Sequence, residues 1–468
     1  MTSPYTKTRG IVLAATSSGV GKTTVTAALC SALRRVGYTV QPFKTGPDFV
    51  DPTYLTLAAR RTCRNLDGFA NPDLMPFLYA EGCRARRNER AADIAVIEGV
   101  MGMYDGLGAE GLHSTAWLAK TLRLPVILLV DAHAAATSVA ATVKGFASLE
   151  PLAPSVSGVI ANRVSGSRHA ELIEEALERF THIPLLAWLP DMKETAFPSR
   201  HLGLIPALER ESSAETIERY TDALTKHVDL ERIVSRAAIP EGPFVEPRMP
   251  EKVATSDGKS VRVAIANDDA FCFHYTENRD VLEKLGAELC DTSPLSDASL
   301  PQETDLLVLP GGYPEEFLEE LEGNVDYRAS VTRHVRRGAI YAECGGMLYL
   351  TKSIEHKNRR GRMVGLIAAN AVITPKLQRF GYVTAEALED NLLFSRGEAL
   401  RAHEFHYSAI ENLAPHAFRV RRASGAKGEW IDGYAGTGGT SLLATYLHLN
   451  FYSCPGAVQK MLARAAER

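Results

Sequence analysis

The stretch GIVLAATSSGVGKTTVTAALC, residues 10–30, joins an apolar run, a glycine-rich loop and a helical segment without interruption. The run 10–16 is short and almost continuously apolar, which is typical of a strand buried on both faces of a parallel sheet. The segment 23–37 then has the composition of a helix. This order of strand, loop and helix predicts an α/β fold, with the loop at the carboxyl end of the first strand.

The loop has the composition of a phosphate-binding site. Gly19 and Gly21 allow backbone N–H groups to converge on phosphate oxygens, and Lys22 adds positive charge. Thr23 has the hydroxyl that such loops offer to Mg²⁺. The usual pattern starts with glycine where this chain has Thr16, so we interpret the loop as a variant form. The alternative is a glycine-rich turn that binds nothing.

Strand-like runs continue after the first helix. Each is short, β-branched and nearly continuous in its apolar character, as in a parallel sheet. Helical segments separate them, so the strand–helix alternation of the opening repeats. The runs lie at 39–44, 93–99, 124–132 and 157–164.

Acidic side chains follow two of these runs. Asp48 and Asp51 come after the run 39–44, and Glu98 closes the run 93–99. Ligands of open α/β sheets bind at the carboxyl ends of strands, and Mg²⁺ takes a few carboxylates together with phosphate and water. We therefore expect Glu98 or Asp48 to hold Mg²⁺ beside a nucleotide. Taken singly, such a carboxylate is more often a solvated loop residue or a helix cap.

A second domain follows a linker. Residues 236–259 are dense in proline, glycine and charge and show no hydrophobic period, which is typical of a linker. A new alternating series then begins with strand-like runs at 261–268, 305–312, 338–346 and 442–450. We predict one α/β domain at 1–235, the linker at 236–259 and a second α/β domain at 260–468.

A cysteine lies where a strand of the second domain meets a helical segment. Cys344 follows the apolar run AIYAE and is followed by Gly345, the layout of a nucleophile elbow. The N–H of Gly345, and that of Gly312 at the end of another strand, are candidate oxyanion donors. A tight turn of this kind makes Cys344 a plausible nucleophile, whereas a buried structural cysteine is the alternative.

Three histidines could serve as the base for this thiol. We place His448 in a strand near the C-terminus, and it is one candidate. His403 and His406 are its rivals, and sequence spacing does not choose among the three. His403 and His406 could equally bind substrate or satisfy backbone carbonyls.

Composition excludes several function classes. The 468 residues carry 52 Lys+Arg against 56 Asp+Glu, so no cationic field points to a nucleic acid or an anionic membrane as partner. No apolar run approaches the about 20 residues of a membrane span. Seven cysteines without a CxxC cluster are typical of reduced thiols, so we expect a cytoplasmic enzyme and leave a homodimer open.

Together these motifs resemble the cobyrinic acid a,c-diamide synthase family, including its hydrogenobyrinic acid relatives. The resemblance covers nearly the whole chain. The motifs that carry it are TSSGVGKTT, FKTGPDFVDP, VIEGVMGMYDG, GVIANRV, PSRHLGL, LPGGYPEEF, YAECGGMLYL, HEFHYS and TYLHLNF, in that order.

The resemblance implies a domain similar to dethiobiotin synthetase followed by a class I glutamine amidotransferase domain. It implies that L-glutamine is hydrolysed through a thioester on Cys344 with His448 as base, and that ammonia passes inside the protein to the synthetase site. There ATP would convert an acetate carboxylate of a tetrapyrrole into an acyl phosphate, which ammonia converts into an amide. In the family two acetates are amidated in turn.

The resemblance also implies residue roles, and one position departs from the pattern. Many class I enzymes carry Glu two residues after the histidine, where this chain has Asn450. Asparagine can orient an imidazole without stabilising its charge, so we expect slow glutamine hydrolysis, or hydrolysis dependent on the synthetase site. The implied roles are ATP binding by Ser18, Gly19, Gly21, Lys22, Thr23, Thr24 and Asn162, Mg²⁺ binding by Thr23, Asp48 and Glu98, and substrate binding by Asp48 and Asp51.

Two other interpretations of the sequence stay open. Relatives of this family amidate sirohydrochlorin or its metal forms, and the loops do not reveal which macrocycle this chain would take. A partitioning or regulatory ATPase could use the same phosphate loop as a switch. The Cys344 elbow argues against that class, since a switch needs no thiol nucleophile.

Overall fold

The computed structural model describes residues 7–86, 89–192, 212–426, 428–436 and 441–467, and the backbone alone at 199–200 and 203–204. The chain forms two compact units, Met1–Glu246 and Pro247–Arg468. The division falls inside the segment 236–259 that we predicted as a linker.

Unit 1 is built on a parallel sheet whose seven described strands run in the order β3-β2-β4-β1-β5-β6-β7. Central strands are enclosed on both faces, as the apolar runs predicted. From Ile11 to Ala15, for example, no side chain is exposed. The described strands of unit 1 are β1 Arg9–Ala15, β2 Val40–Thr45, β3 Arg64–Leu66, β4 Ile94–Glu98, β5 Val126–Asp131, β6 Val156–Val164, β7 Leu185–Pro190, β8 Ser199–Arg200 and β9 Gly203–Leu204.

The first helix packs on this sheet through an apolar face. Its residues Val25, Leu29 and Leu33 are fully buried in one core with Ile11 and Val96. Burial of each such side chain stabilises the fold by about 1.5–3 kcal/mol relative to exposure. The described helices of unit 1 are α1 Lys22–Arg35, α2 Asp51–Ala59, α3 Met75–Cys83, α4 Thr115–Leu122, α5 Thr137–Ala147, α6 Ser167–Phe180, α7 Ser212–Thr225 and α8 Leu230–Arg236.

The PSRHLGL motif lies partly outside the described residues, which do not include 198, 201 and 202. Only its backbone at 199–200 and 203–204 is described, where β8 and β9 pair antiparallel.

Unit 2 combines a parallel half-sheet with an antiparallel extension. Its large sheet runs β11-β10-β12-β13-β22-β21-β20-β17-β18 among the described strands, parallel as far as β22 and antiparallel beyond it. A second sheet has the order β15-β14-β16-β19. The described elements of unit 2 are β10 Arg262–Ala266, α9 Thr276–Lys284, β11 Glu288–Thr292, β12 Leu306–Leu309, α10 Leu318–Gly323, α11 Val325–His334, β13 Ala339–Glu343, α12 Gly345–Leu350, β14 Ser353–His356, β15 Arg359–Arg362, β16 Asn370–Ile373, β17 Arg379–Ala387, β18 Ala399–His406, β19 Ser408–Glu411, β20 His416–Arg422, β21 Glu429–Ala435, β22 Leu442–Thr445 and α13 Pro455–Ala466.

One predicted strand is shorter than its apolar run. We predicted a strand at 442–450 that includes His448, but β22 ends at Thr445. The buried carboxylate of Asp432 accepts hydrogen bonds from the Thr445 hydroxyl and the Tyr446 N–H, which holds the chain where the strand ends. His448 lies beyond the strand and forms an isolated antiparallel bridge with His403.

Candidate active sites

The glycine-rich loop between β1 and α1 has the backbone geometry its sequence predicted. Gly19 and Gly21 have φ of 80° and 94°, in the left-handed region that glycine adopts without strain. A Cβ at Gly21 would lie 2.7 Å from Nδ2 of Asn162, so the end of β6 packs directly against the loop. Ser18 is exposed and Thr24 half-buried in the first turn of α1. The loop therefore presents Ser18 to solvent, while Gly21 is half-buried.

Asn162 supports the loop through its side-chain amide. Nδ2 donates to the carbonyl of Val20 at 2.8 Å, and Oδ1 accepts from the N–H of Arg163 at 3.0 Å. An amide has two donor hydrogens and two acceptor lone pairs, so each end keeps one further bond for a ligand. Asn162 thus holds the loop and keeps hydrogen-bonding capacity for a ligand.

Lys22 and Thr23 connect the loop to the other predicted motifs. The ammonium of Lys22 donates to the carbonyl of Met101 at 2.7 Å, and the Thr23 hydroxyl donates to Oε1 of Glu98 at 2.8 Å. Burial, together with the nearby charge of Lys44, lowers the pKa of Lys22. The three clusters that the sequence placed at successive strand ends therefore meet in one site.

At the centre of this site lies Lys44, to which the sequence had assigned no role. Its side chain is only 2% exposed, and its ammonium donates to Asp51 and, at 2.9 Å, to Oε1 of Glu98. Asp48 lies 3.5 Å away. Burial alone would lower the pKa of Lys44, but the charges of Asp51, Glu98 and Asp48 raise it well above its ordinary value. Lys44 therefore stays cationic.

The three carboxylates do not share one charge state. Burial raises the pKa of Glu98, an effect that the Lys44 ammonium opposes. Burial and the neighbouring Asp51 raise the pKa of Asp48. For Asp51 burial acts in the same upward direction, but the contact with Lys44 outweighs it and lowers the pKa. Lys44 and Asp51 thus form the permanent ion pair of the cluster.

The oxygens around Glu98 suit a hard divalent cation. Oε2 of Glu98 is buried without a hydrogen-bond partner, and the Thr23 hydroxyl lies on the other oxygen of the same carboxylate. Mg²⁺ is held by one or two carboxylates plus phosphate and water, so it needs no all-protein cage. Within the described ranges, no group of three or more His, Cys, Asp or Glu side chains is arranged to enclose a metal. The donors present fit a cation that a phosphate completes.

In unit 2, Cys344 occupies a strained turn between β13 and α12. Its φ of 44° and ψ of −106° are rare for a residue with a side chain, as a nucleophile elbow requires. A Cβ at Gly346 would lie 2.1 Å from the carbonyl oxygen of Leu309, and a Cβ at Gly345 would lie 2.9 Å from the backbone nitrogen of Gly312. Both glycines are needed for this close approach of β12 to the elbow.

The environment of the thiol opposes ionisation in the resting protein. Cys344 is 8% exposed, and burial raises its pKa, with the carboxylate of Glu315 adding to the effect. The N–H of Gly345 hydrogen-bonds to the sulfur and acts in the opposite direction. A base at the site is therefore needed to form the thiolate.

Gly311 marks the place where the thiol and an imidazole meet. A Cβ at this position would lie 2.6 Å from Cε1 of His448 and 3.5 Å from Cβ of Cys344. Nδ1 of His448 is 3.2 Å from Oε2 of Glu343, and both side chains are buried. Among the three histidines, His448 is thus the one that shares a contact position with Cys344.

The other two histidines have different surroundings. The ring of His403 stacks on that of His448, with centroids 4.8 Å apart, and burial lowers its pKa far below the ordinary value. His406 stacks on Tyr446 and hydrogen-bonds the carbonyl of Ser408 through Nδ1, while burial lowers its pKa to about 4. Both imidazoles are therefore neutral.

Asn450, which stands where many class I enzymes carry Glu, makes its hydrogen bond away from the imidazole. Its Oδ1 accepts from the N–H of Tyr452 at 3.2 Å, where the chain turns into the short helix Phe451–Ser453, and its Nδ2 is buried without a hydrogen-bond partner. Glu343 makes the contact with His448 instead. Glu343 was missed because it reads as the last residue of a buried strand. Its signal is a carboxylate closing an otherwise apolar run directly before the cysteine.

The comparisons with known proteins agree with this division of chemistry. Residues 11–205 match the CobQ/CobB/MinD/ParA nucleotide binding domain, and residues 262–455 match the CobB/CobQ-like glutamine amidotransferase domain. The fold and the two sites therefore define a glutamine-dependent ligase that uses a nucleotide. The predicted fold class is confirmed.

Full-length relatives identify the family within that class. Cobyrinate a,c-diamide synthase of Streptococcus sanguinis is 40% identical over 445 residues, covering 94% of this chain and 95% of its own length. Those of Listeria innocua and Salmonella typhimurium are each 40% identical, over 96% and 97% of this chain and 98% and 97% of their own. The chain belongs to the cobyrinate a,c-diamide synthase family, as its motifs predicted.

Two further findings concern solved structures and membranes. The chloroplast FtsY of Physcomitrella patens aligns with 39% of this chain and 59% of its own at 16% identity, with a TM-score of 0.28, which is too weak to support an inference. In the part of the chain that the structure describes, no helix has the length and apolar character needed to cross a bilayer.

Proposed function

We propose that this chain uses ATP and L-glutamine to amidate the a and c acetate carboxylates of cobyrinic or hydrogenobyrinic acid, a step of cobalamin biosynthesis. The observation that carries the proposal is the 40% identity to cobyrinate a,c-diamide synthases along both domains. The phosphate loop with its carboxylates and the Cys344 elbow with His448 supply the two chemistries that this reaction needs.

Activation of the carboxylate falls to unit 1. Gly19, Gly21, Lys22, Thr23 and Thr24 would hold the phosphates of ATP, with Ser18 at the exposed loop tip and Asn162 at the adenine. A free carboxylate is a poor acyl donor, so transfer of the γ-phosphoryl group to it supplies a leaving group. The positive charge of Lys22 stabilises the phosphate oxygens as charge develops.

The acidic cluster would hold the cation and the substrate. Thr23, Asp48 and Glu98 provide oxygens for Mg²⁺, which would neutralise phosphate charge when bound. Asp48 and Asp51 would lie beside the acetate to be activated. Lys44 forms ion pairs with Asp51 and Glu98 and so helps to position both carboxylates.

Nitrogen release falls to unit 2. Cys344 would attack the side-chain amide of glutamine, with His448 accepting the thiol proton and returning it to the leaving ammonia. The N–H groups of Gly312 and Gly345 would stabilise the oxyanion. The location that we propose is the cytoplasm, and a homodimer stays a prediction that size-exclusion chromatography with light scattering can test.

A panel of macrocycles tests the function directly. The protein is incubated with ATP, Mg²⁺ and glutamine and with cobyrinic acid, hydrogenobyrinic acid, sirohydrochlorin or nickel-sirohydrochlorin, and products are read by mass spectrometry. We expect two successive acid-to-amide conversions on a corrin ring, with ADP release coupled to each. Amidation of sirohydrochlorin alone would move the substrate to that macrocycle. ADP release without amidation of any ring would contradict the proposal.

A further inference from the structure

The carboxylate that contacts the imidazole of the thiol site comes from an unusual place in the chain. Glu343 is the last residue of β13 and directly precedes the nucleophile Cys344. Its Oε2 lies 3.2 Å from Nδ1 of His448, and both side chains are at most 5% exposed. We propose that Glu343 is the positioning residue that orients His448 and stabilises its protonated form during glutamine hydrolysis. This inference rests on the proposed function of unit 2.

Glu343 is itself held in a single orientation. Its Oε1 accepts from the hydroxyl of Tyr341 at 2.6 Å and from the N–H of Leu449 at 3.1 Å. The other oxygen is thereby directed at Nδ1 of His448. A carboxylate fixed in this way sets the tautomer, because it takes the Nδ1–H and leaves Nε2 as the base.

The ring stacked on this imidazole carries no charge that would compete with Glu343. His403 is kept neutral by burial, and its Nδ1 lies 3.3 Å from the hydroxyl of Tyr275. The Asn450 amide accepts from the N–H of Tyr452. The titratable groups near this pair include Cys344, His403 and His406 around His448, Tyr341, Cys454 and His274 around Glu343, and Glu315, Asp432 and Tyr446 around Cys344.

The proton transfers of the reaction show at which steps Glu343 acts. Nε2 of His448 takes the proton of Cys344, and the thiolate forms a C–S bond to the amide carbon of glutamine. The C–N bond breaks as His448 returns the proton, so ammonia leaves and a thioester remains. Water then attacks the thioester with the same base and releases glutamate. Glu343 accepts the Nδ1–H of His448 and stabilises the imidazolium each time it forms.

Two single-charge variants separate this role from simple electrostatics. Glu343→Gln and Glu315→Gln each remove one negative charge that, by Coulomb repulsion alone, disfavours the thiolate of Cys344. Repulsion alone therefore predicts that either variant ionises Cys344 at a lower pH. The positioning role predicts the opposite for Glu343→Gln, since the thiolate–imidazolium pair loses its anchor.

The experiment follows alkylation of the Cys344 peptide by iodoacetamide across pH, together with the glutaminase kcat and KM of the full chain. For Glu343→Gln we expect the alkylation midpoint to rise, kcat to fall by about 10²–10⁴-fold and KM to change little. For Glu315→Gln we expect the midpoint to fall. A midpoint that falls in both variants, or a wild-type kcat in Glu343→Gln, would overturn the inference.

A second variant covers loss of folding. Tyr341→Phe removes one hydrogen bond to Glu343 without touching His448, so it should raise the midpoint in the same direction by a smaller amount. If Glu343→Gln melts early and Tyr341→Phe behaves as wild type, the role is refuted. Amidation of tetrapyrroles with ammonium salts, measured in parallel, tests the proposed function separately. If glutamine hydrolysis depends on Glu343 but no macrocycle is amidated, only the proposed function is refuted.

Discussion

Lys44 in unit 1 and His403 in unit 2 are both almost fully enclosed, at 2% and 4% exposure, yet one is charged and the other neutral. Lys44 contacts Asp51 and Glu98, and these carboxylates offset its desolvation. His403 stacks on the ring of His448 and contacts a tyrosine hydroxyl, neither of which is an anion, so burial removes its proton.

The contrast separates two ways of preparing a reaction. In unit 1 the charges are assembled in the resting protein, because phosphoryl transfer needs fixed charges around a polyanion. In unit 2 the thiol of Cys344 and the imidazole of His403 are held back from ionisation by burial. The thiol becomes charged only when its proton moves to His448. Glu343 is the acidic neighbour that stabilises the resulting imidazolium.

The largest expected effect isolates the thiol. Cys344→Ala removes the nucleophile, so glutamine-dependent amidation should fall by at least about 10³-fold. Amidation with ammonium salts should persist, because the acyl-phosphate site lies in the other unit. Steady-state rates with both nitrogen sources measure this. Cys290→Ala, in β11 and half-buried, is the matched control and should keep both activities; parallel loss of both in Cys344→Ala would contradict the division of labour.

The second largest effect is expected from removing the buried ammonium of Lys44. Lys44→Met leaves Asp51 and Glu98 without their counter-charge, which typically destabilises a fold by about 3–5 kcal/mol. We expect a lower melting transition for unit 1 and no ATP-dependent amidation, while glutamine hydrolysis continues. Calorimetry measures the melting transition, and a glutaminase assay measures glutamine hydrolysis. Lys144→Met, on the exposed face of α5, should change neither; an unchanged transition in Lys44→Met would mean that the carboxylates do not need this partner.

A steric variant probes how closely the imidazole approaches the thiol. Gly311→Ala places a Cβ 2.6 Å from Cε1 of His448, so the ring must shift, and a misplaced catalytic group typically costs about 10²-fold in rate. The glutaminase kcat measures the loss. Gly323→Ala, at the end of α10, meets no atom within 4 Å and should keep the wild-type rate. Equal rates for the two variants would place His448 elsewhere.

The smallest effect concerns acid stability. Burial lowers the pKa of His406 to about 4 in the folded chain, whereas an exposed histidine has a pKa of about 6.5. As the pH falls from about 6.5, the unfolded chain therefore binds a proton that the folded chain does not. Unfolding free energy should thus drop by up to about 2 kcal/mol at pH 5 from this group. In His406→Phe, which can still stack on Tyr446, urea titrations at pH 8 and 5 should show less of this loss. The surface variant His182→Gln should lose as much unfolding free energy between pH 8 and pH 5 as the wild type. Equal losses in the wild type and in His406→Phe would show that His406 is not the origin of the effect.

The fold could be predicted because its strands are continuous apolar runs with a phosphate loop between the first strand and its helix. The meeting of Thr23 with Glu98 followed from strand ends sharing one edge. The role of Lys44 did not follow, since a lysine near the end of a strand is typical of a surface residue until its three carboxylates are placed around it.

The thiol site was predicted only in part. Cys344 stood out through its flanking glycines, but the choice of His448 needed the bridge to His403 and the contact near Gly311, which join distant parts of the chain. Glu343 was hidden for the same reason. Its partner lies 105 residues away in sequence.

The Lys44 ammonium gives the acidic pocket of unit 1 an internal counter-ion. Chelators denature many small metal-binding proteins, because metal binding supplies their folding free energy. Here Lys44 already offsets the mutual repulsion of Asp48, Asp51 and Glu98, so EDTA should abolish amidation without lowering the melting temperature of unit 1.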